Sequence, residues 1–577
     1  MKKLAIVGFG PRGLSALENL FVEISKENLA INIHTTLFEI EKELGTSKVW
    51  NTKQPAINWV NISERALKDL EGRPELVFKN VTIPSFPSYL KWSHRDEKNL
   101  DETDADQFPP RKKIGNYLSE RADSIVNILL EHKMIAVEQV LITDLEYNAD
   151  TITLIDLKKN SYIFDEVVLT IGHQPTKIDE DIKDFEMQSI DDDRISFPET
   201  YPIENIINSK AINSEKNVAI RGLGLAMIDA VRALTIGKGG RFKILNKYTF
   251  ESEFISGIDV PKKIIPYSLD GLPIVSKPLN PKIDRQFSLS KTQATYFEKT
   301  IRDVADGNVA VEDNTFLKEA IAKISVENYF ELENKLFDEN IDKTALETIV
   351  IKWLTDPNYA HKLIQPTNCS TDQIISSFVE MACGKKAVSL DFCVGQVIRH
   401  CQPILYKSFS HANIDETIIA SVILLDEQMK RYSYGPPLES MQQLLALHKC
   451  NRIDFNFANN PNIRNEPHAW NFEKEENSVE VTVIINSVLS APKLLEVSSL
   501  IIQNLLRNDL IKPIHSKLGI HTQKDGLILN AQNNSFLPIA VLGRLAKGSV
   551  IGVDAILECF GTRIEDWAVG CVNRLKE

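Results

Sequence analysis

The apolar positions follow one order twice. Leu4, Ala5, Ile6 and Val7 form a continuous apolar run of the kind that reads as a buried strand. The turn Gly8-Phe9-Gly10-Pro11-Arg12-Gly13 follows, then Leu14, Leu17, Phe21 and Ile24 at helical spacing, then a second apolar run from Ile31 to Phe38 that ends in Glu39. The order returns at Val218-Ala219-Ile220, with the turn Arg221-Gly222-Leu223-Gly224, a helix from Ala226 to Thr235, the stop Gly237-Lys238-Gly239-Gly240 and a strand from Phe242 to Leu245. Between these lies another apolar strand, Asp165 to Ile171, closing on Gly172-His173-Gln174-Pro175. The pattern from about 285 to 400 is helical, with Thr344-Ala345-Leu346-Glu347 as a capping box ahead of Ile349, Val350, Trp353 and Leu354. Strand signals resume in Val479 to Ile485, and the turn Val541 to Gly548 leads to a helix over Val553 to Cys559.

A strand running into a glycine-rich turn and a helix presents backbone N–H groups to a pyrophosphate. Gly8 permits the tight turn, Gly10 the close approach of phosphate, and Gly13 the packing of helix on strand, while Pro11 and Arg12 complete the turn. Glu39 stands at about the offset of the acid that binds an adenosine ribose. The second turn keeps Gly222 and Gly224 but places Met227 where a third glycine would stand. Its following strand ends in Asn246 and Lys247 instead of an acid, a pair that tolerates a 2′-phosphate, so NADPH is preferred over NADH there; a merely solvated Lys247 remains the alternative. The predicted fold is α/β, with two Rossmann-like dinucleotide-binding domains for FAD and NAD(P)H and a helical insertion. The divisions are 1–175 for the first part of the FAD domain, 176–284 for the NAD(P)H domain, 285–400 for the insertion and 401–577 for a C-terminal part that completes the FAD domain.

Composition narrows the function class. The 577 residues carry a formal net charge of −13 and no basic stripe, which argues against a nucleic-acid surface. Two lysines precede the opening apolar run, but Pro11, Arg12 and Gly13 interrupt it too early for a signal peptide. No apolar stretch reaches the roughly 18 residues of a membrane span, so a cytoplasmic protein is expected. The seven cysteines, Cys369, Cys383, Cys393, Cys401, Cys450, Cys559 and Cys571, form no C-x-x-C pair, so neither a redox dithiol nor a metal site is expected.

The Thr170-Ile171-Gly172 turn resembles the "ATG" segment of two-dinucleotide flavoproteins, which implies FAD at the first site. More broadly, the sequence resembles the bacterial FAD/NAD(P)-binding protein family that opens on GxGPRG(L)S, a group including amino-acid N-hydroxylating monooxygenases such as the aspartate hydroxylases that lead to nitrosuccinate. The likeness rests on Gly8 to Ser15, on Phe108-Pro109-Pro110-Arg111 with Gly115, Tyr117 and Leu118, and on Gly222 to Asp229 with Leu234, Thr235 and Gly237 to Gly240. It extends to Ser256-Gly257, Ser268 with Gly271-Leu272-Pro273, Tyr434-Gly435-Pro436-Pro437, and Gly543-Arg544 with Gly548. The chain departs from it at Leu269 and Lys238, where the family commonly has basic residues and arginine respectively.

The resemblance implies that Trp50, Asn51, Lys53 and Gln54 surround the flavin edge, that Gly172, Gly543, Arg544 and Gly548 complete the FAD site, and that a C-terminal helix aims its positive end at the flavin. His173 occupies a turn position that many residue types could fill, and the catalytic residues stay unassigned. The expected function is an NAD(P)H-consuming monooxygenase that takes a small-molecule amine or amino acid and molecular oxygen, and hydroxylates the nitrogen through a flavin C4a-hydroperoxide. A reductase or dehydrogenase serving another acceptor, and a nucleotide-binding protein without turnover, are the alternatives. Oligomeric state is not legible.

Overall fold

The computed structural model describes residues 1–27, 33–94, 101–148, 151–190 and 192–576. The apolar run at the start forms the strand Lys2–Val7, which pairs in parallel with Ile33–Phe38 on one side and Glu166–Leu169 on the other. Residues 31 and 32 of the predicted second strand lie outside the described residues. The sheet holds six strands, in the order Leu527–Leu529, Phe536–Val541, Glu166–Leu169, Lys2–Val7, Ile33–Phe38, Ile135–Glu138, parallel except at its Leu527–Leu529 edge. Near-continuous apolar strands imply cover on both faces. Helices Pro11–Lys26, Arg111–Glu131 and Thr562–Lys576 supply one face; helix Leu500–Arg507 and the antiparallel sheet spanning 142–164 supply the other.

A second parallel sheet has the order Ile195–Phe197, Val483–Asn486, Asn217–Arg221, Lys263–Tyr267. Helix Leu225–Thr235 buries Ala226 to Thr235 against one face, in a core continuous with the helices that run from Lys291 to Lys449. Ala219, Ile265 and Ile484 bury the other face against Phe185, Trp470 and Phe472.

Several expectations need correction. The strand around Phe242 forms, over Arg241–Asn246, but outside the parallel sheet: Asn246 accepts the backbone N–H of Thr249 at 3.3 Å and its side chain that of Tyr248 at 2.9 Å, a turn that folds the chain into an antiparallel hairpin with Glu251–Ile255. Both places beside Asn217–Arg221 are taken, by Lys263–Tyr267 and by Val483–Asn486. The helical run does not stop near 400, since the apolar stripes of Glu416–Ser433 and Leu438–Lys449 still face the same core. Residues 401–577 therefore do not all return to the first sheet, because Val483–Asn486 enters the second. No helix covers Val553 to Cys559. Asp554 is pinned there by ion pairs, Leu557–Phe560 makes one 3₁₀ turn, and the helix starts only after Gly561. Helix Lys343–Thr355 begins two residues earlier than the Thr344 capping box, because Asp342 accepts the N–H of Ala345 at 2.8 Å.

Candidate functional site

Both glycine turns sit where a parallel strand ends and a helix begins. Gly8 has φ +86°, and a Cβ there would lie 2.8 Å from the carbonyl oxygen of Thr170, so only glycine makes this turn without strain. Thr170 Oγ1 in turn donates to the carbonyl of Gly8, which locks the Thr170–Gly172 turn onto the first motif. Gly10 is the N-cap of the following helix and no side chain caps it; Pro11, which has no N–H to satisfy, opens the helix. A Cβ on Gly13 would meet the oxygen of Gly8 at 2.4 Å, the close helix–strand approach that the motif predicts.

Glu39 turns back on this loop. Its Oε2 accepts the N–H of Phe9 at 2.7 Å, and Oε1 accepts those of Ile40 at 2.8 Å and Glu41 at 3.1 Å. The next loop is tied to the same turn by Gly45 N–H to the carbonyl of Phe9 at 2.8 Å. Within it Trp50 closes a 3₁₀ turn, while Gln54 is buried, donating to the carbonyls of Val49 and Asn51 and accepting from Asn58 at 3.1 Å.

The late motif arrives at the same place. Gly543 lies against the guanidinium of Arg12, itself almost wholly buried and bonded to the carbonyl of Val553 at 3.3 Å. Arg544 donates to Nδ1 of His173 at 3.0 Å and pairs with Asp554 at 3.1 Å. An arginine can only donate, so His173 holds its own proton on Nε2. Burial first, then Arg544, pushes the His173 pKa below its usual value, against the pull of Asp554. Burial alone would raise Asp554, but Lys430, Arg544 and Lys547 overcome it and hold the carboxylate ionised. Lys430, on helix Glu416–Ser433, bonds Asp554 and Glu427 at 2.6 Å each, so the helical unit is keyed to this last turn. Gly548 stands further off, in a turn against Ile514 and Leu518.

At the second motif Gly222 has φ +111° and a Cβ would sit 2.8 Å from Ser487 Oγ; Gly224 caps its helix without a side-chain bond and has open space beside it. Met227 is buried in the core behind the helix. The structure does not bring Lys247 to this turn. It is exposed in the hairpin, beside the Tyr248 ring at 5.0 Å, so the strand-end geometry on which its 2′-phosphate role rested is missing.

A link between the two motifs is absent from the sequence reading. Arg111, first residue of helix Arg111–Glu131, donates to Asp229 on the second motif's helix at 2.8 Å; Tyr201 OH donates to the same carboxylate oxygen. Three residues on, Arg232 lies 3.7 Å above the Trp59 ring and bonds Ser440 at 2.7 Å and Gln443 at 3.0 Å. Burial lowers the Arg232 pKa to about 10, with Asp229 pulling upward. Both the Phe108-Pro109-Pro110-Arg111 segment and the Gly222 to Asp229 segment stood out in the sequence; that Arg111 and Asp229, 118 residues apart, pair with each other did not.

The open N-termini at Gly10 and Gly224, with both preceding glycines in left-handed geometry, fit dinucleotides at both turns. Among the described residues no group of three or more His, Cys, Asp or Glu could hold a metal ion, and no helix is long and apolar enough to cross a membrane.

Residues 5–174 match the model of a family described as FAD-NAD(P)-binding, so this stretch is an FAD-NAD(P)-binding domain. The chain is 27% identical over 246 residues to nitrosuccinic acid synthase npaA of Aspergillus oryzae, a match covering 41% of this chain and 36% of that protein. It is 26% identical over 262 residues to an L-aspartate N-monooxygenase (nitrosuccinate-forming) of Streptomyces davaonensis, covering 41% and 39%. The matched stretches thus span well under two thirds of these relatives. Ornithine hydroxylase (PvdA) from Pseudomonas aeruginosa aligns over 100% of this chain and 99% of its own, with 10% identity and a TM-score of 0.46.

Proposed function

We propose that this FAD-NAD(P)-binding protein is a flavoprotein monooxygenase that consumes NAD(P)H and oxygen to hydroxylate the nitrogen of a small amine or amino acid. The observation that carries the reading is the pair of glycine turns, each between a parallel strand and an uncapped helix, in units tied together by Arg111 and Asp229. Bound FAD would supply the redox chemistry, accepting reducing equivalents from the nicotinamide and delivering them to oxygen. The names of the relatives support nitrogen as the atom oxidised and make aspartate the first substrate to try.

The chain's own residues bind and orient. N–H groups at the starts of helices Pro11–Lys26 and Leu225–Thr235 take the two pyrophosphates. Glu39 keeps acceptor capacity for a ribose hydroxyl while its backbone bonds shape the turn. Gly172, with open space beside it, leaves room for the ring system next to His173, whose Nε2–H is a donor held in a fixed tautomer by Arg544. Trp50, Gln54, Gly543 and Gly548 belong to the same reading as parts of the FAD site. We place the protein in the cytoplasm, a reading supported by its seven unpaired thiols.

The purified protein should be yellow, its flavin should bleach anaerobically with NADPH, and air plus aspartate or another amine should then yield a hydroxylamine or its oxidation products. Bleaching with NADPH but no oxidised nitrogen from any amine would place it among the reductases. Colourless protein that takes up no FAD would end the reading.

A further inference from the structure

Three parts of the molecule cross near Lys277. Its backbone N–H donates to the carbonyl of Pro436 at 3.1 Å, its ammonium donates to the carbonyl of Asn61, and Asn61 Nδ2 donates to the carbonyl of Tyr434 at 3.3 Å. Asn61 lies three residues beyond Asn58, the partner of Gln54, so the crossing continues the loop assigned above to the flavin edge. The other cations around it are matched. Arg65 pairs with Asp106 at 3.0 Å, Arg399 and His400 with Asp284, and Lys430 with Asp554. Among the described residues, no carboxylate lies within ion-pair distance of Lys277. Lys277 is half-buried, and its ammonium bonds a neutral carbonyl instead of a carboxylate, so its charge is left for a supplied anion to neutralise.

We infer that Lys277 receives a carboxylate of the substrate, so that the enzyme selects amines that carry one. This deepens the monooxygenase reading and rests on it. Burial, and after it Arg399, bring the Lys277 pKa down to about 7, with Asp284 and Asp106 pulling upward. The charged and titratable neighbours are Arg399 and His400 from helix Leu390–Phe409, Asp284 at the end of the short helix Pro281–Asp284, and Asp106 with Arg65 from the first unit. An anion can use Lys277 fully only while the amine is protonated. Affinity should therefore be greatest below about pH 7 and weaken towards tenfold per unit above it, until the pKa of the occupied site is reached.

The test is calorimetric titration of the FAD-loaded full chain with succinate, an amine-free dicarboxylate, between pH 6.5 and 8.5. Wild type should bind and weaken as pH rises, Lys277→Met should lose at least tenfold at pH 6.5, and Lys277→Arg should stay within about threefold of wild type with a flat profile, since its charge is permanent. The fall with pH should persist in His400→Gln. Equal affinity in Lys277→Met, a fall with pH that Lys277→Arg keeps, or no binding by wild type overturns the inference. NADPH-driven bleaching of the flavin in the same preparations reads the monooxygenase hypothesis separately. Retained flavin in Lys277→Met shows that the variant folds.

Discussion

At the scale of single residues, the two turn glycines allow the two proposed cofactor sites to be tested separately. Gly8→Ala places a Cβ 2.8 Å from a backbone oxygen at a positive φ, and Gly222→Ala places one 2.8 Å from a serine hydroxyl at φ +111°. The backbone strain alone costs of order 1–3 kcal/mol. Gly8→Ala should abolish FAD retention; Gly222→Ala should keep the flavin spectrum while slowing its anaerobic reduction by NADPH at least tenfold. Equal flavin loss in both would show that the second turn is not a separate site. These glycines were legible in the sequence because a backbone demand leaves a residue type behind. Lys277 was not. Nothing within ten residues of it predicts that Asn61 and Pro436 arrive from elsewhere to hold it.

Among elements, the helix Pro11–Lys26 was readable to within a turn, since one stripe of Leu14, Leu17, Phe21 and Ile24 is buried in a single core. Its one buried acid was not. Glu18 takes Arg73 at 3.0 Å and Arg121 at 2.7 Å, joining the first helix to Arg111–Glu131. Glu18→Leu would leave two buried guanidinium groups without their carboxylate, and a loss of about 3–5 kcal/mol is expected in denaturant unfolding. The triple variant with Arg73→Met and Arg121→Met should recover most of that loss, which a purely steric role for Glu18 would not allow. The hairpin after Gly240 marks the limit of local reading: Phe242 to Leu245 has strand composition, yet composition does not say which strand it joins, and the turn chemistry of Asn246 sent it away from the parallel sheet.

For the molecule as a whole, His411 bridges the helical unit and the C-terminal segment. Its N–H donates to the carbonyl of Ser549 at 2.6 Å and its Nδ1 meets that of Thr522 at 3.2 Å. Burial lowers its pKa from 6.5 to about 4 despite the bond to Thr522. The unfolded chain therefore takes up the proton first on acidification. The contribution of His411 is intact above about pH 6.5 and disappears between there and pH 4, worth about 3 kcal/mol at 1.36 kcal/mol per unit. His411→Asn, which tolerates the residue's φ of +61°, should flatten the stability profile over that window. An unchanged acid limb would assign the loss to other groups. The α/β class and both turns followed from local patterns, but the domain limits did not, because a strand of four residues such as Val483–Asn486 carries no mark of which sheet receives it.

That late strand has a consequence for how the protein is made. Val483–Asn486 fills the middle of the second sheet, and Phe536–Val541 extends the first beside Glu166–Leu169. Synthesis must therefore pass residue 483 before the second sheet can close and residue 536 before the first can. Until then both glycine turns stand on unfinished sheets with unpaired apolar strand edges, the condition in which a nascent chain is prone to pair wrongly.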